Sequence, residues 1–137
     1  MPSWDVEAVR GGLRSLGTRL GELLQCPVRV AVNTSGPVGA TYTRPDWFAL
    51  ALTASPREVR VQTLWLPPSH RGTGKGRGIV AAIATLGARH AIQRIRVEPR
   101  PGSEAFWAAC GFQPDSHGRA WYRRCAGPPC GAPASRR

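Results

Sequence analysis

A glycine-rich loop between a strand and a helix constrains the fold of this chain more than any other feature. Residues 58–66 alternate in character, which predicts a strand that a following Pro-Pro pair ends, because proline cannot donate to a sheet ladder. One face of this strand is expected to carry Val59, Val61, Thr63 and Trp65, and the other Arg60, Gln62 and Leu64. After the loop, an almost wholly apolar run predicts a helix over 79–90, and a further strand is predicted over 91–98. This strand–helix–strand crossover implies a parallel pair of strands.

The residues before this crossover predict one helix and two further strands. Apolar residues at steps of three and four predict a helix over 4–25, with Ser3 as its N-cap and Asp5 in its first turn. Short alternating runs that end in turn-forming residues predict strands over 28–33 and 46–54.

The residues after the crossover predict a short helix and a final strand. The helix is expected over 103–110, with Ser103 as its N-cap and Gly111 as the glycine that terminates it. The last strand is predicted to open at Phe112 and to resume over 119–123 after a turn.

These elements together predict an α/β fold with a mixed, mostly antiparallel sheet and flanking helices. One domain is expected over 1–124, because a chain of 137 residues is the size of a single ordinary domain. Residues 125–137 are rich in Gly, Pro and Ala, show no periodicity and predict a disordered tail.

The composition indicates a soluble and strongly basic protein. Hydrophobic residues make up 42%, which is enough for a core, and no apolar run is long enough to span a membrane. The N-terminus lacks the pattern of a secretory signal, so a cytoplasmic location is expected. The 19 basic residues exceed the 8 acidic ones and give a net charge of +11, which favours binding of polyanions such as nucleic acids or coenzyme phosphates.

The four cysteines give little evidence for a metal site. Cys125 and Cys130 lie near each other in the tail, with His117 eight residues before the first of them. Zinc sites usually show tighter pairs, so no metal is expected, and the thiols are interpreted as buried or incidental residues of a reducing compartment.

The loop itself has the composition of an anion site. Its four glycines stand at alternate positions, at 72, 74, 76 and 78. Glycines let the backbone N–H groups approach an anion, and the helix N-terminus adds partial positive charge, to which Arg71, Lys75 and Arg77 add formal charge. A diphosphate-bearing ligand is therefore expected.

Two common diphosphate loops do not fit these residues. A Walker loop needs Ser or Thr after its lysine and a glycine five residues before its second glycine, whereas Gly76 follows Lys75 and Ser69 occupies the glycine position. A dinucleotide fingerprint, G-x-G-x-x-G, fails in both frames, because Arg77 or Ile79 stands at its last position.

The pattern that fits is Arg-x-x-Gly-x-Gly, formed by Arg71, Gly74 and Gly76 directly after a hydrophobic strand. Here the sequence resembles the GNAT family of acyl-CoA-dependent N-acetyltransferases. A second motif, at 105–112 (Ala-Phe-Trp-Ala-Ala-Cys-Gly-Phe), is similar to the family's short helix ending in Gly-Phe. The resemblance covers about half the chain, from Glu58 to Tyr122.

The resemblance implies that acetyl-CoA, or another acyl-CoA, is the co-substrate. The two parallel strands would splay apart to admit the pantetheine arm, and the amine would attack the thioester directly, with a strand N–H stabilising the oxyanion. The residues expected at the coenzyme are Leu64, Trp65, Leu66, Arg71, Gly72, Thr73, Gly74, Lys75, Gly76, Arg100, Ser103 and Trp107.

The chain departs from the family at positions that matter for catalysis. Trp107 stands where a tyrosine often protonates the leaving thiolate, and Arg100 replaces an asparagine that usually precedes the short helix. Tyr122 is a replacement acid only if the last strand points it into the gap. Glu58 is the first candidate for the general base, with His70 second, and water and strand backbone are the remaining proton acceptors.

Two alternatives to an N-acyltransferase stay open at this point. One is a catalytically inactive protein of the same shape that binds CoA, a protein partner or nucleic acid, and the other is a basic nucleic-acid-binding domain. The tryptophans are expected mainly in the core, and Arg94, Arg96 and Arg100 mainly on a solvated face. For an active enzyme, the acceptor is expected to be a small-molecule or protein amine, and a homodimer is possible.

Overall fold

A computed structural model describes residues 4–45, 47–67 and 73–126. The three helices are α1 (Val6–Leu24), α2 (Lys75–Arg89) and α3 (Glu104–Ala109). The seven strands are β1 (Arg29–Val32), β2 (Val38–Arg44), β3 (Phe48–Ala54), β4 (Glu58–Trp65), β5 (Arg94–Val97), β6 (Gln113–Pro114) and β7 (Trp121–Arg124). None of the helices in this part of the chain is long and apolar enough to cross a membrane.

The strands form one sheet in the order β1-β2-β3-β4-β5-β7-β6. Every neighbouring pair is antiparallel except β4 and β5, which pair in parallel across the α2 crossover. The predicted fold class and the predicted parallel pair are therefore confirmed.

Helix α1 packs by its predicted apolar stripe. Its buried apolar residues are Val9, Leu13, Leu16, Leu20 and Leu24. The prediction placed Asp5 inside the first turn, but Asp5 is the N-cap itself, and its carboxylate accepts a hydrogen bond of 3.0 Å from the Ala8 N–H. The helix ends at Gln25, whose left-handed φ of 58° closes the last turn.

The core lies between one face of the sheet and the pair α1 and α2. Buried side chains alternate along β3, β4 and β5, as a half-buried sheet requires. Tyr42 of β2 reaches into this layer and donates a hydrogen bond of 2.8 Å to the Leu13 carbonyl of α1. Helices α1 and α2 also pack on each other, which fixes α2 above the sheet.

One strand of the sheet was not predicted. β2 lies between the two strands expected over 28–33 and 46–54, and it pairs with both. Its inward residues Val38, Ala40 and Tyr42 alternate with Gly39 and small threonines, so a period-two signal was present but weak.

Other element boundaries also differ from the predictions. β3 begins at Phe48 rather than at residue 46, and α2 begins at Lys75, four residues earlier than expected. The final strand opens at Gln113 rather than at Phe112 and resumes at Trp121 rather than at residue 119, and the predicted turn joins the two parts, β6 and β7, into a hairpin.

The end of β7 changes the expected domain boundary. Cys125, predicted as the first residue of the tail, is buried beside Gly87 of α2. The packed domain therefore extends at least to residue 125. The rest of the predicted tail, from residue 127, lies outside the described residues and includes Cys130.

Candidate coenzyme site

The parallel pair of strands opens at its carboxyl end. Its ladder runs from Glu58 opposite Arg94 to Val61 opposite Val97 and stops there. β4 continues to Trp65 and keeps β3 on one side, but within the described chain no strand pairs with its other side beyond Val61. An extended ligand can add to such an edge as a further strand, because the edge presents backbone donors and acceptors.

A β-bulge at Gln62 lies directly after the last residue of β4 that pairs with β5. Val61 pairs with Leu52, and Thr63 pairs with Ala51, so Gln62 is the extra residue on β4. The prediction placed Val61, Thr63 and Trp65 on one face. This was wrong, because the bulge shifts the alternation and only Val61 of the three is buried.

The N-terminus of α2 follows this edge along the chain, and its first N–H groups have no partners within the helix. Gly74 is the N-cap, with a φ of +85° that glycine adopts without strain, and it supplies no side-chain cap. The first helical hydrogen bond runs from the Gly78 N–H to the Gly74 carbonyl, so the N–H groups of residues 75–77 have no partner within the helix.

The charge around this helix end is positive. Lys75 and Arg77 lie in the first turn, which contains no acidic residue, and Thr73 and Gly74 are exposed just before it. The helix dipole adds to this charge, so an anion such as a diphosphate is favoured here. The predicted site residues Arg71 and Gly72, and the second base candidate His70, lie outside the described residues.

Helix α3 packs directly against the start of α2. A β-carbon on Gly76 would lie 2.8 Å from the ring of Phe106, with the side chain of Leu66 at 3.8 Å. The two sequence motifs therefore meet in space through a glycine and an aromatic ring. Phe106 was not among the predicted site residues, although it lies inside the motif quoted for the short helix.

Trp107 belongs to the core. Only 6% of it is exposed, and its ring packs edge-on against Phe106 and Phe112, with ring centroids 5.0 and 5.1 Å apart. Its burial gives no support to the expected contact with the coenzyme. The general expectation of core tryptophans fails for Trp65, which is 38% exposed, while Trp47 and Trp121 are half-buried.

The segment before α3 holds the remaining predicted coenzyme residues. Ser103 occupies the N-cap position, but its hydroxyl donates a 2.7 Å hydrogen bond to the Arg100 carbonyl and does not cap the helix. The carboxylate of Glu104 accepts from the Gly102 N–H at 2.9 Å. The Arg100 side chain itself is exposed.

Glu58 lies within a cluster of arginines at the opposite end of β4. One carboxylate oxygen accepts two hydrogen bonds from Arg94, at 3.1 and 3.2 Å, and the other lies 3.6 Å from Arg60 and 3.9 Å from Arg96. These ion pairs favour a structural role for Glu58, and the base assignment stays a prediction. Tyr122 lies in the same cluster, with the Arg94 guanidinium 4.1 Å from its ring centroid, and its role as a replacement acid stays a prediction.

Comparisons with known proteins agree with this geometry. The family model for the acetyltransferase (GNAT) family matches residues 16–112, which is more than half of the chain. The chain belongs to the GNAT family. The matched region contains the parallel strands β4 and β5, the start of α2 and the whole of α3, so the family assignment covers every described part of the candidate site.

Solved GNAT structures have the same fold at low sequence identity. Ard1 from Thermoplasma volcanium superposes with a TM-score of 0.51 and 14% identity, over 90% of this chain and 95% of that one. The ribosomal-protein-S18-alanine N-acetyltransferase from Escherichia coli gives 0.50 and 14%, over 70% and 74%. GCN5 from Tetrahymena gives 0.50 and 9%, over 87% and 88%. A comparison with curated protein sequences finds no match.

Proposed function

We propose that this GNAT protein transfers an acyl group from acyl-CoA, with acetyl-CoA as the donor, to a primary amine. The observation that carries the proposal is the edge of β4 beyond Val61, with which no strand of the described chain pairs, together with the N-terminus of α2, which no described side chain caps. An extended ligand with amide groups followed by a diphosphate would match these two features, because its amides would meet the edge of β4 and its diphosphate would meet the start of α2. Pantetheine and the CoA diphosphate have that order.

In the proposed complex, the backbone of Leu64, Trp65 and Leu66 bonds the pantetheine arm as an added strand. The backbone N–H groups of residues 72–76 and the charges of Arg71 and Lys75 hold the diphosphate. Arg100 and Ser103 stay proposed coenzyme contacts from the loop before α3.

The proposed reaction is a direct displacement. The amine nitrogen attacks the thioester carbonyl carbon, and a backbone N–H of β4 donates to the oxygen as it gains negative charge. The carbon–sulfur bond then breaks, the amine loses a proton, and the thiolate leaves or takes up a proton. Three arginines surround Glu58, and Trp107 is buried. We therefore assign both proton transfers, from the amine and to the thiolate, to water at the carboxyl end of the parallel strands.

The burial of Trp107 favours one second candidate, a GNAT protein that binds acyl-CoA without turnover. An acid at the short helix would speed departure of the thiolate, and a buried indole cannot supply that proton. The two candidates differ in whether any acceptor, a small-molecule or protein amine, is acylated.

Coenzyme binding is tested by thermal unfolding with acetyl-CoA and with CoA, in the wild type and two variants. Lys75→Glu puts a carboxylate at the diphosphate position, yet preserves the helix, because negative charge at a helix N-terminus is favourable. Arg14→Glu makes the same charge change on an exposed position of α1. Ligand at 100 times its Kd should stabilise the wild type by about 2.7 kcal/mol.

The proposal expects this stabilisation in the wild type and in Arg14→Glu, and its loss in Lys75→Glu. Equal stabilisation of all three proteins would contradict the diphosphate site. Turnover is then measured as free CoA thiol released in the presence of amines and peptides. Binding with no release for any acceptor would favour the second candidate.

A further inference from the structure

The sheet has a second face, opposite α1 and α2, whose floor consists of small side chains. Gly39, which is buried, and seven other cross-strand neighbours of β1–β4 form it, and the seven are at least partly exposed: Ala31, Thr41, Thr43, Ala49, Ala51, Thr53 and Thr63. We call this side of the sheet the open face. Because alanines and threonines are small, this floor has no bulky side chain that would keep a chain from lying across the four strands.

Arginines crowd one end of the open face. Arg60 lies opposite Arg96 in the parallel ladder, and Arg94 lies opposite Arg124 in the next one. The side chains of Arg60, Arg94 and Arg96 are 47%, 37% and 24% exposed, and Arg124 is also exposed. Each of these four side chains is therefore at least partly accessible from solvent, although the Nε atom of Arg96 is buried.

Two carboxylates neutralise only part of this charge. Glu58 lies among the arginines with 14% of its side chain exposed, and Glu98 bonds Arg96 at 2.9 Å. Four arginines against two glutamates leave a net charge of +2 at this end. The open-face positions of β1–β3 add Arg29 and no acidic residue, so nothing on the floor repels an anion.

An aromatic ring stands at the other end of the floor. The bulge at Gln62 turns Trp65 onto the open face, where it pairs with Ala49 and has only small neighbours across the strands. It is the one large hydrophobic residue in the described part of the chain that is exposed, at 38%. Four residues of β4 lie between it and Arg60, a span on the order of 15 Å.

We propose that the open face binds single-stranded nucleic acid, with a base stacked on Trp65 and backbone phosphates at Arg60, Arg96 and Arg124. Single strands are bound by a cationic groove together with an aromatic side chain on which an unpaired base stacks. An acidic protein segment would use the arginines but not the exposed ring. This surface is separate from the proposed coenzyme contacts, which use the backbone of Trp65 and not its indole.

The binding test uses a fluorescent oligouridylate of twelve nucleotides and measures anisotropy between 50 and 200 mM salt. The double variant Arg60→Gln with Arg124→Gln removes two phosphate contacts. The negative slope of log K against log salt should then become shallower by about 1.4, because each contact contributes about −0.7 for single strands. The matched control, Arg14→Gln with Arg19→Gln, removes two exposed charges from α1 and should leave the slope unchanged. Trp65→Leu should weaken binding about tenfold at every salt concentration, since it removes stacking but no charge.

Three results would overturn the proposal. They are absence of binding at 50 mM salt, an equal loss of slope in both double variants, and equally effective competition by polyglutamate, which would indicate an acidic protein partner. Photocrosslinking of the wild-type protein to a thiouridine-labelled oligonucleotide avoids any dependence on variant folding. It should label the tryptic peptide 61–71, which contains Trp65, and labelling only elsewhere would also contradict the assignment.

Discussion

Gly76 of α2 and Phe106 of α3 approach each other so closely that no side chain fits between them. A β-carbon on Gly76 would lie 2.8 Å from Cε1 and 3.0 Å from Cζ of the ring. This contact fixes the start of α2 beside α3, and it gives that glycine a packing role in addition to its place in the anion loop.

Replacing this glycine should therefore destabilise the protein. Gly76→Ala gains about 0.5–1 kcal/mol from helix propensity but incurs about 1–3 kcal/mol from overpacking against Phe106 and Leu66, so we expect a net loss near 1 kcal/mol. The control is Gly11→Ala in α1, where a β-carbon meets nothing within 4 Å and a gain of about 0.5–1 kcal/mol is expected. Urea unfolding measures both, and a gain in both variants would show that the ring moves freely.

Tyr42 should contribute through its hydroxyl as well as its ring. Tyr42→Phe removes the 2.8 Å hydrogen bond to the Leu13 carbonyl, which keeps its helical partner, so a loss of about 0.5–1.5 kcal/mol is expected. Tyr122→Phe is the matched control, because the Arg94 guanidinium contacts the ring of Tyr122. Chemical denaturation compares the two, and equal effects would contradict the buried hydrogen bond.

Local periodicity explains how much of this fold could be predicted. The stripe of α1, the strand at Glu58, the crossover and the short helix before Gly111 each show their pattern within one segment. Strand β2 was not predicted, because its glycine and threonines weaken the contrast between apolar and polar positions. Its place in the sheet also depends on pairing with strands on both sides.

The candidate site was predicted less completely, for a physical reason. The loop and helix motifs located the start of α2 and α3, but a bulge depends on how one strand pairs with the next, so the exposure of Trp65 could not be read from β4 alone. The burial of Trp107 likewise depends on Phe112, which packs against it from beyond the end of the helix.

Glu58→Gln separates a structural from a catalytic role. The variant keeps the shape of the side chain but leaves Arg60, Arg94 and Arg96 without their shared countercharge, so a loss of about 1 kcal/mol is expected for these partly exposed pairs. With an accepted amine, the pH dependence of turnover should be unchanged. A turnover rate lowered by about two orders of magnitude, with loss of the acidic limb of the profile, would instead identify Glu58 as the base.

Cys125 should make stability depend on pH under alkaline conditions. Burial raises the pKa of this thiol from 9.0 to about 11, although Arg123 opposes part of the shift. Between about pH 9 and pH 11 the unfolded chain has lost this proton while the folded chain retains it, so the free energy of unfolding falls as pH rises. Cys125→Ala should flatten this decline when urea unfolding is measured between pH 9 and pH 11.

Amide hydrogen exchange with and without acetyl-CoA tests the central claim most directly, because it reports on the edge of β4. Bound coenzyme should slow exchange in the residues after Val61 and in the first turn of α2, while the paired strands β2 and β3 change little. Acetyl-CoA binding that leaves the exchange of residues 62–66 unchanged would contradict the account.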